Sequence, residues 1–378
     1  MSDRYTEVEH TSWSGRLGSS IAGIGVGLLL FIVAFPLEWW NEGRAVDRYI
    51  AISEGAGAAV TIDPATVDTA REGKVVHFSG TARSDQPVSD TEFDVTVDAL
   101  ALKREVEMYQ WVEDEHTETR KNSDGSKSKV TTYDYQQRWH SGRVNSSNFK
   151  HRSGHENPQL PIKSSTEWAK DIQVGAYKLG SLAQHIKGSE AVAISTLPES
   201  KRSAGWTLSS NTAELSQGGS SPQLGDVRVT LTQVPYSEVS LIAQQSGDEL
   251  VPFVASNGNE FIELRMGTQS IAQMQAAAES DNALLTWALR GLGLGLMVVG
   301  LCLIFAPLGV LGDFIPVLGD IIRAGTFVVA LVISVVCSSL TIALAWLAYR
   351  PLISIPLFVL AAAAIAWLIM KRRRLVQA

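Results

Sequence analysis

Three histidines lie close enough in sequence to suggest metal chemistry: His140, His151 and His155. Zinc sites use His, Cys or carboxylate ligands that converge in space. His151 and His155 are four residues apart, a spacing that places both on one face of a helix. Gly154 and the Asn157-Pro158 pair oppose a helix at this point. The zinc hypothesis is therefore weaker than a structural one.

The structural alternative assigns the same segment to a loop that is held by packing and hydrogen bonds. Its candidate residues are Trp139, Gly154, His155, Asn157 and Pro158. We favour this interpretation and predict no metal site, no cofactor and no catalytic residue there. No phosphate-binding glycine motif or nucleophile motif is evident in the surrounding region.

A second set of candidates consists of charges inside an apolar block near the C-terminus: Asp313, Asp320, Arg323 and Arg350. Charges at or inside a membrane boundary are costly and often functional. Asp320 and Arg323 are three residues apart, so they can pair on a helix. The alternative is an ordinary solvated loop, which we favour from the topology below.

Four runs without any charged residue predict the elements that position these groups: Leu17–Leu37, Gly291–Gly312, Ala324–Tyr349 and Pro351–Met370. A helix needs about 20 apolar residues to cross a bilayer core. We predict a segment of residues 1–16, membrane helices over 17–37, 286–312, 324–349 and 351–370, a β-rich domain over 38–285, a cytoplasmic or re-entrant loop over 313–323 and a basic tail over 371–378. The predicted fold class is α+β.

The basic run Lys371–Arg374 predicts the orientation, because positive flanks stay cytoplasmic. Four crossings then place both termini in the cytoplasm. The domain lies outside a bacterial inner membrane, or in the lumen of the endoplasmic reticulum or inner nuclear membrane of a eukaryote. It carries 23 Lys and Arg against 34 Asp and Glu, a net charge of 23 − 34 = −11. The basic run is explained by topology and anionic lipid, so we predict no nucleic-acid binding.

Glycines in two of the runs are candidates for close helix packing: Gly23, Gly27, Gly291 and Gly295. Each pair has the small-xxx-small spacing that lets helix backbones approach. The contacts can lie within one chain or between copies, so the lipid bilayer, a second copy and other membrane proteins are the expected partners.

Alternating apolar and polar residues predict strands in the domain, as in Phe93–Asp98. The turn-forming segment 122–127 lies between two extended runs and predicts a long β-hairpin from about Val106 to His140. The domain is one fold or two β-rich halves, about residues 50–158 and 190–266. Cys302 and Cys337 both lie in predicted membrane helices, so the domain has no disulfide.

The first membrane helix is followed by a dense polar motif: Trp39, Trp40, Asn41, Glu42, Gly43 and Arg44. Paired tryptophans fit an aromatic belt at the membrane surface. The segment Trp40–Val46 also resembles the LUMA family, also called transmembrane protein 43. The resemblance continues through Tyr133–Pro158, Gly225–Leu231, Gly247–Phe253 and Tyr349–Leu352, where it includes Tyr349, Arg350 and Pro351.

The resemblance implies a four-helix membrane protein with a large lumenal or extracytoplasmic domain. Animal members of the family lie in the endoplasmic reticulum and inner nuclear membrane, where they self-associate and organise partners such as emerin and lamins. No catalytic residues come with the motifs. A non-enzymatic membrane scaffold is therefore the first functional hypothesis. The alternatives are a membrane-bound hydrolase acting through the domain and an oligomeric channel or transporter.

Overall fold

The computed structural model of the chain describes residues 3–122, 126–218, 221–313, 315, 317–352, 354–356, 359 and 363. Its α-helices within these ranges are α1 (Trp13–Ala58), α2 (Glu199–Ser203), α3 (Ile271–Gly312) and α4 (Leu318–Tyr349). Short 3-10 helices occupy Thr69–Arg71, Ser146–Asn148 and Gly180–His185. In this described part of the chain, α1, α3 and α4 are long and apolar enough to cross a membrane. Most of the predicted fourth span, 351–370, and the tail, 371–378, lie outside the described residues.

The helices extend well beyond the predicted membrane segments. The expected exit at Glu38 is wrong, because α1 continues through Glu38–Val46 to Ala58. The sequence after Leu37 is rich in residues that tolerate or favour a helix and has no proline to end it. Likewise, α3 begins at Ile271, where Ser270 and Gln273 form a capping box. The predicted domain of residues 38–285 therefore starts and ends inside helices.

The predicted loop of residues 313–323 is also shorter than expected. The helix α4 begins at Leu318, so Asp320 and Arg323 lie in its first two turns. The solvated loop was the favoured interpretation, but on this helix the two residues pair as their spacing allows, and the Arg323 guanidinium donates to the Asp320 carboxylate. Val317, just before the helix, has a positive φ of 73°. This left-handed residue accompanies the reversal of the chain between α3 and α4.

Glycine allows α1 and α3 to pack closely as an antiparallel pair. A Cβ added at Gly27 would lie 2.5 Å from the Gly300 carbonyl oxygen, so only glycine fits there. Gly23 approaches α3 more loosely, with its nearest contact to Leu303 at 3.9 Å. At Gly291 and Gly295 an added Cβ would meet no atom within 4 Å. Among the helices that the structure describes, α1 and α4 therefore make no close contact with these two glycines.

The β-strands in the described part of the chain form two large sheets. Their bounds are β1 Asp3–Thr11, β2 Val60–Thr61, β3 Val75–Arg83, β4 Val88–Asp90, β5 Val95–Val97, β6 Ala101–Lys121, β7 Lys127–Ser141, β8 Ser165–Trp168, β9 Gln173–Val174, β10 Tyr177–Lys178, β11 Glu190–Val192, β12 Trp206–Ser209, β13 Thr212–Leu215, β14 Val227–Val234, β15 Ser237–Ser246, β16 Glu249–Val251, β17 Phe253–Val254, β18 Glu260–Phe261 and β19 Glu263–Met266.

The eight-stranded sheet has the order β1-β7-β6-β14-β13-β12, with β11 beside β14 and β8 beside β6. The seven-stranded sheet has the order β19-β15-β16-β10-β9-β3-β2, and β15 also pairs with β3. The pairs β17-β18 and β4-β5 form small ribbons. The predicted long hairpin is present as β6 and β7. Strands from both sequence halves pair directly, β6 with β14 and β3 with β15, so the halves share both sheets.

The soluble ends of α1 and α3 are fastened to the seven-stranded sheet by an apolar cluster. Ile52 of α1 and Met274 of α3 are fully buried against Ile242 and Phe261. A Cβ at Gly55 would lie 2.2 Å from the Phe261 ring, so this glycine admits the ring next to the helix backbone. The two helices therefore form one continuous stalk from the membrane segments into the domain.

The N-terminal strand departs from the predicted topology. Residues 1–16 and 38–285 were placed on opposite sides of the membrane by the crossing of residues 17–37. In the structure β1 pairs with β7 along its whole length, from Asp3–Tyr135 to Thr11–Lys127. A sheet with open edges cannot lie in lipid, because its backbone groups would lack partners. The pairing thus requires β1 and the hairpin to share an aqueous or protein environment, and it does not support the predicted sidedness.

Candidate functional site

The polar motif after the first apolar run lies where α1, α3 and α4 meet. The carboxylate of Glu42 is almost completely buried and accepts three hydrogen bonds from two other helices. Arg290 of α3 donates through Nε at 2.6 Å and through Nη2 at 2.8 Å. Trp346 of α4 donates through Nε1 at 2.7 Å. A bidentate Arg–carboxylate pair fixes geometry as well as charge, so a single side chain joins all three helices.

The neighbouring motif residues extend this arrangement along α1 and α3. Asn41 donates from Nδ2 to the Thr286 carbonyl oxygen at 3.0 Å. Arg44 donates to Asn282 Oδ1 and to Thr286 Oγ1, both at 3.0 Å. We call the set of Asn41, Glu42, Arg44, Arg290 and Trp346 the junction cluster. Its hydrogen bonds set the relative height and rotation of the helices at the end nearer the domain.

One turn earlier on α1, Glu38 is also fully buried. Its Oε1 accepts a hydrogen bond from Ser338 of α4 at 2.7 Å. A Cβ added at Gly293 of α3 would lie 2.5 Å from Glu38 Cγ. Gly293 therefore makes room for the carboxyl group, a role that the sequence pattern assigned to its neighbours Gly291 and Gly295.

Aromatic rings surround the junction cluster. Trp39 and Trp40 are 38% and 55% exposed. The Trp39 ring lies 6.0 Å from the ring of Tyr349 at the end of α4. The same tyrosine ring packs on Gly43, where an added Cβ would be 2.8 Å from Cζ. Arg350 follows with its guanidinium 5.8 Å from the Trp346 ring, and residues 351–352 are helical.

A second polar cluster lies at the opposite end of the three helices. Asp313, which ends α3, is fully buried at its side chain and pairs with Arg16 of α1. Its other partner is Arg323 of α4, whose Nη2 lies 2.8 Å from Oδ1 and whose Nη1 lies 3.1 Å from Oδ2. We call Arg16, Asp313, Asp320 and Arg323 the distal cluster. It also connects α1, α3 and α4 through one carboxylate.

The separation of the two clusters fits a bilayer. Arg16 and Glu42 are 26 positions apart on α1, which corresponds to about 39 Å of helix. A bilayer with its headgroup regions is about 40–45 Å thick. The two clusters therefore mark the two ends of the apolar part of the bundle.

The segment with the three histidines is held by packing and hydrogen bonds, as the structural alternative expects. His155 is buried, stacks on Tyr135 at 4.1 Å and meets the Trp111 ring edge-on at 4.7 Å. Its Nδ1 lies 2.9 Å from the His151 carbonyl oxygen. Among the described residues no group of three or more His, Cys, Asp or Glu is arranged to hold a metal. The His155 ring is thus engaged in the loop structure.

The remaining residues of this loop have similar structural roles. Asn157 is buried and bonds to the backbone of Trp111 through both side-chain atoms, at 2.8 and 2.9 Å. Gly154 has a φ of +83°, which favours glycine. Trp139 lies under the Arg228 guanidinium at 4.4 Å, and the Pro158 carbonyl accepts a hydrogen bond from Arg143.

Burial and a hydrogen bond to Glu113 raise the pKa of the Tyr135 hydroxyl to about 12.

The sequence pattern did not identify several of the residues that complete the two clusters: Arg16, Asn282, Thr286, Arg290 and Trp346. Each is distant in sequence from its partner; Glu42 and Arg290, for example, are 248 residues apart. One signal was present, because charges of opposite sign flank the apolar runs at both ends. That signal indicates pairing only when the helices are already known to be neighbours.

The comparisons with known proteins agree with this architecture. The family model described as transmembrane protein 43 matches residues 108–351. Transmembrane protein 43 of Mus musculus is 32% identical over 354 residues, covering 89% of this chain and 87% of the mouse protein. The chain belongs to the transmembrane protein 43 family.

Other members of the transmembrane protein 43 family match similarly. The Homo sapiens protein is 32% identical over 89% of this chain and 87% of its own length. The Drosophila melanogaster homolog is 27% identical over 90% of this chain and 92% of its own length. No solved structure matches the chain. The LUMA resemblance found in the motifs is thus confirmed, and the chain is a membrane protein of this family.

Proposed function

We propose that this member of the transmembrane protein 43 family is a non-enzymatic membrane scaffold that self-associates and holds its β domain in a defined orientation for protein or lipid partners. The observation that carries the proposal is the Glu42 carboxylate, which is bonded to α3 and α4 at once. A carboxylate with its oxygens engaged by Arg290 and Trp346 is suited to holding helices together. It is not placed to act as an acid, base or nucleophile, which needs access to a substrate.

The continuous stalk supports the same role. Because α1 and α3 run unbroken from the membrane segments to the seven-stranded sheet, the domain does not hang from a flexible linker. The apolar cluster around Ile52 and Phe261 fastens the stalk to the sheet. Such an attachment suits a protein that presents a surface in a fixed orientation to the membrane.

Self-association is proposed through the face of α3 that carries Gly291 and Gly295. An added Cβ at either position would meet no atom of the described residues within 4 Å, so none of them covers this face. Small residues four apart are favourable contact points between helices in lipid. A cytoplasmic C-terminus remains part of the proposal and rests on the basic run Lys371–Arg374. An exported domain with a cytoplasmic N-terminus is not part of it, because β1 pairs with β7 of the domain.

The test is the mass of the full chain, measured after crosslinking in a lipid nanodisc or native-like vesicle, together with identification of co-purifying proteins. We expect a defined oligomer that Gly291→Leu with Gly295→Leu converts largely to monomer. Gly325→Leu is the matched control, because Gly325 on α4 is equally open and lies outside the proposed contact. A monomer without partners in the unmodified chain would refute the scaffold proposal.

A second candidate is a small-molecule site or hydrolase in the β domain, favoured by a cavity of about 600 Å³. The carboxylates that line this cavity are Asp171 and Glu249. The pKa of Glu263 is raised by burial, but Glu263 lies elsewhere and pairs with Arg265 at 2.6 Å. Hydrolysis of a general ester or phosphate substrate that is lost in Asp171→Asn with Glu249→Gln would favour this candidate over the scaffold.

A further inference from the structure

Glu38 differs from the other buried carboxylates of the helix bundle in having no basic partner. Glu42 and Asp313 are each paired with arginine. Glu38 is equally buried, yet none of the described Lys or Arg residues forms an ion pair with it. An ionised carboxylate in an apolar setting is costly unless an opposite charge is supplied. The two polar clusters do not supply that charge.

The charged groups nearest to Glu38 are already bound to other partners. Glu42 lies one turn further along α1, and Arg290 of α3 binds it through two contacts of 2.6 and 2.8 Å. Arg44 lies nearly two turns away on α1 and donates to polar groups of α3. The apolar runs of α3 and α4 that pack beside Glu38 contain no charged residue. The surroundings of Glu38 are therefore short of one positive charge.

Two buried oxygen atoms near this point have no hydrogen-bond partner among the described residues: Oε2 of Glu38 and Oγ of Ser334. The other carboxyl oxygen of Glu38 accepts from Ser338 of α4 at 2.7 Å. Ser334 lies one turn before Ser338, on the same buried face of α4. On that face Thr341 donates to the Cys337 carbonyl oxygen, as hydroxyl groups in helices often do. Ser334 makes no such bond, so its oxygen keeps its bonding capacity.

The chemistry of these oxygens selects the occupant. Carboxylate and hydroxyl oxygens suit hard cations, and one carboxylate balances one positive charge. The described residues contain no group of three or more His, Cys, Asp or Glu arranged to hold a metal, which disfavours a divalent ion. A proton would balance Glu38 but would leave Ser334 unbonded, and a water molecule would bond both without adding charge. A small monovalent cation satisfies both requirements.

We propose that Glu38, Ser334 and Ser338 bind one sodium ion between α1 and α4, one turn from the junction cluster. Gly293 of α3 packs against the same carboxyl group so closely that an added Cβ would lie 2.5 Å from Glu38 Cγ. This close packing favours sodium over the larger potassium ion. Ionisable residues inside membrane bundles commonly mark ion sites. The site lies within one chain and is independent of the scaffold proposal.

The experiment uses the full chain in phosphatidylcholine nanodiscs. Its unfolding temperature is measured at increasing sodium chloride, with choline chloride added to keep the ionic strength constant, and again with potassium chloride. An ion that binds only the folded chain raises the unfolding temperature as its concentration rises. We expect a saturating rise with sodium, a smaller rise with potassium and none with choline.

Three variants assign the effect to this site. Glu38→Gln should abolish the sodium-dependent rise, whatever its own stability. Ser334→Ala should raise the half-saturating sodium concentration about tenfold, because one oxygen ligand is lost. Ser339→Ala is the matched control, because Ser339 lies on the exposed face of the same helix, and it should leave that concentration unchanged.

A chemical label separates sodium from a proton. Dicyclohexylcarbodiimide reacts with protonated carboxyl groups in apolar surroundings, so sodium should slow the labelling of Glu38 at constant pH while choline should not. Equal unfolding temperatures in sodium and choline would overturn the proposal. A sodium effect that survives in Glu38→Gln, or equal shifts in Ser334→Ala and Ser339→Ala, would also overturn it. Labelling that depends on pH but not on sodium would overturn it too, because the occupant would then be a proton.

Discussion

The junction cluster and the distal cluster both hold α1, α3 and α4 together, but with different side chains. Each joins α1, α3 and α4 through one buried carboxylate. Glu42 at the junction is bound by one arginine, Arg290, and by the Trp346 indole, whereas Asp313 at the distal end is bound by two arginines, Arg16 and Arg323. The junction cluster continues into the stalk, so additional contacts between α1 and α3 also hold the helices together at this end. The distal end has only a short reversal of the chain, so one ionic group holds three helices.

The largest effect is therefore expected from Asp313→Asn. The substitution removes the buried carboxylate that Arg16, whose side chain is 7% exposed, and Arg323 share, although Arg323 keeps its pair with the exposed Asp320. Removing one member of a buried ion pair costs about 3–5 kcal/mol. The free energy of unfolding, measured by detergent titration in micelles, should fall by this amount. Asp320→Asn is the control, because the Asp320 side chain is 64% exposed and such pairs contribute about 1 kcal/mol or less.

Glu42→Gln should destabilise the bundle by a smaller amount, about 2–3 kcal/mol. Only one arginine loses its carboxylate, and the Arg290 guanidinium remains 4.7 Å from the Trp287 ring and 5.8 Å from the Trp346 ring. Cation–π contact offsets part of the loss. The same detergent titration measures the fall in the free energy of unfolding of Glu42→Gln. If Glu42→Gln lowers the free energy of unfolding as much as Asp313→Asn does, or more, then the neutral groups at the junction do not help to hold the helices together.

The pairing of β1 with β7 can be tested by a disulfide between Val8→Cys and Val130→Cys, which are directly opposite in the register. The background carries Cys302→Ala and Cys337→Ala. Paired strands bring opposite Cα atoms within the range that a disulfide needs, so we expect efficient crosslinking in membranes. Val8→Cys with Thr131→Cys is the control, because a one-residue shift points the second side chain to the other face. Crosslinking in neither pair would favour the predicted placement of residues 1–16 across the membrane.

The smallest effect concerns pH and lies outside both clusters. The pKa of Tyr135 is about 12 in the folded chain against an ordinary value of 10.0. A folded-state pKa above the unfolded one gives stability that is complete below pH 10 and is lost as the pH rises toward 12. The free energy of unfolding should therefore fall more steeply between pH 10 and 12 in the unmodified chain than in Tyr135→Phe. Parallel curves would contradict the raised pKa.

The membrane segments and the long hairpin could be predicted from the sequence, because both depend on local patterns. The charge-free runs of residues 17–37, 291–312 and 324–349 lie inside α1, α3 and α4. The strand β6 ends at Lys121 and β7 begins at Lys127, on either side of the predicted turn. The continuation of α1 beyond residue 37 was missed, because loss of hydrophobicity marks the end of the lipid-facing segment and not the end of a helix.

The clusters themselves could not be predicted, because they depend on which helices become neighbours. Glu42 and Arg44 belong to a recognisable motif, but nothing local specifies Arg290, Thr286 or Trp346 as their partners. Pairing of Asp320 with Arg323 was predictable since the two are one turn apart. Gly293 was overlooked in favour of Gly291 and Gly295, because the spacing rule identifies a small-residue face without saying which neighbour uses it.

The unbroken course of α1 from Trp13 to Ala58 has a mechanical consequence. A helix turns about 100° and rises 1.5 Å for each residue. Inserting one residue between Glu42 and Ile52 would turn the domain end of α1 by about 100° relative to its membrane segment, while α3 stays fastened to the same sheet. The insertion would therefore break either the junction cluster or the apolar cluster around Ile52. The domain and the helix bundle are therefore expected to tilt and rotate together in the bilayer.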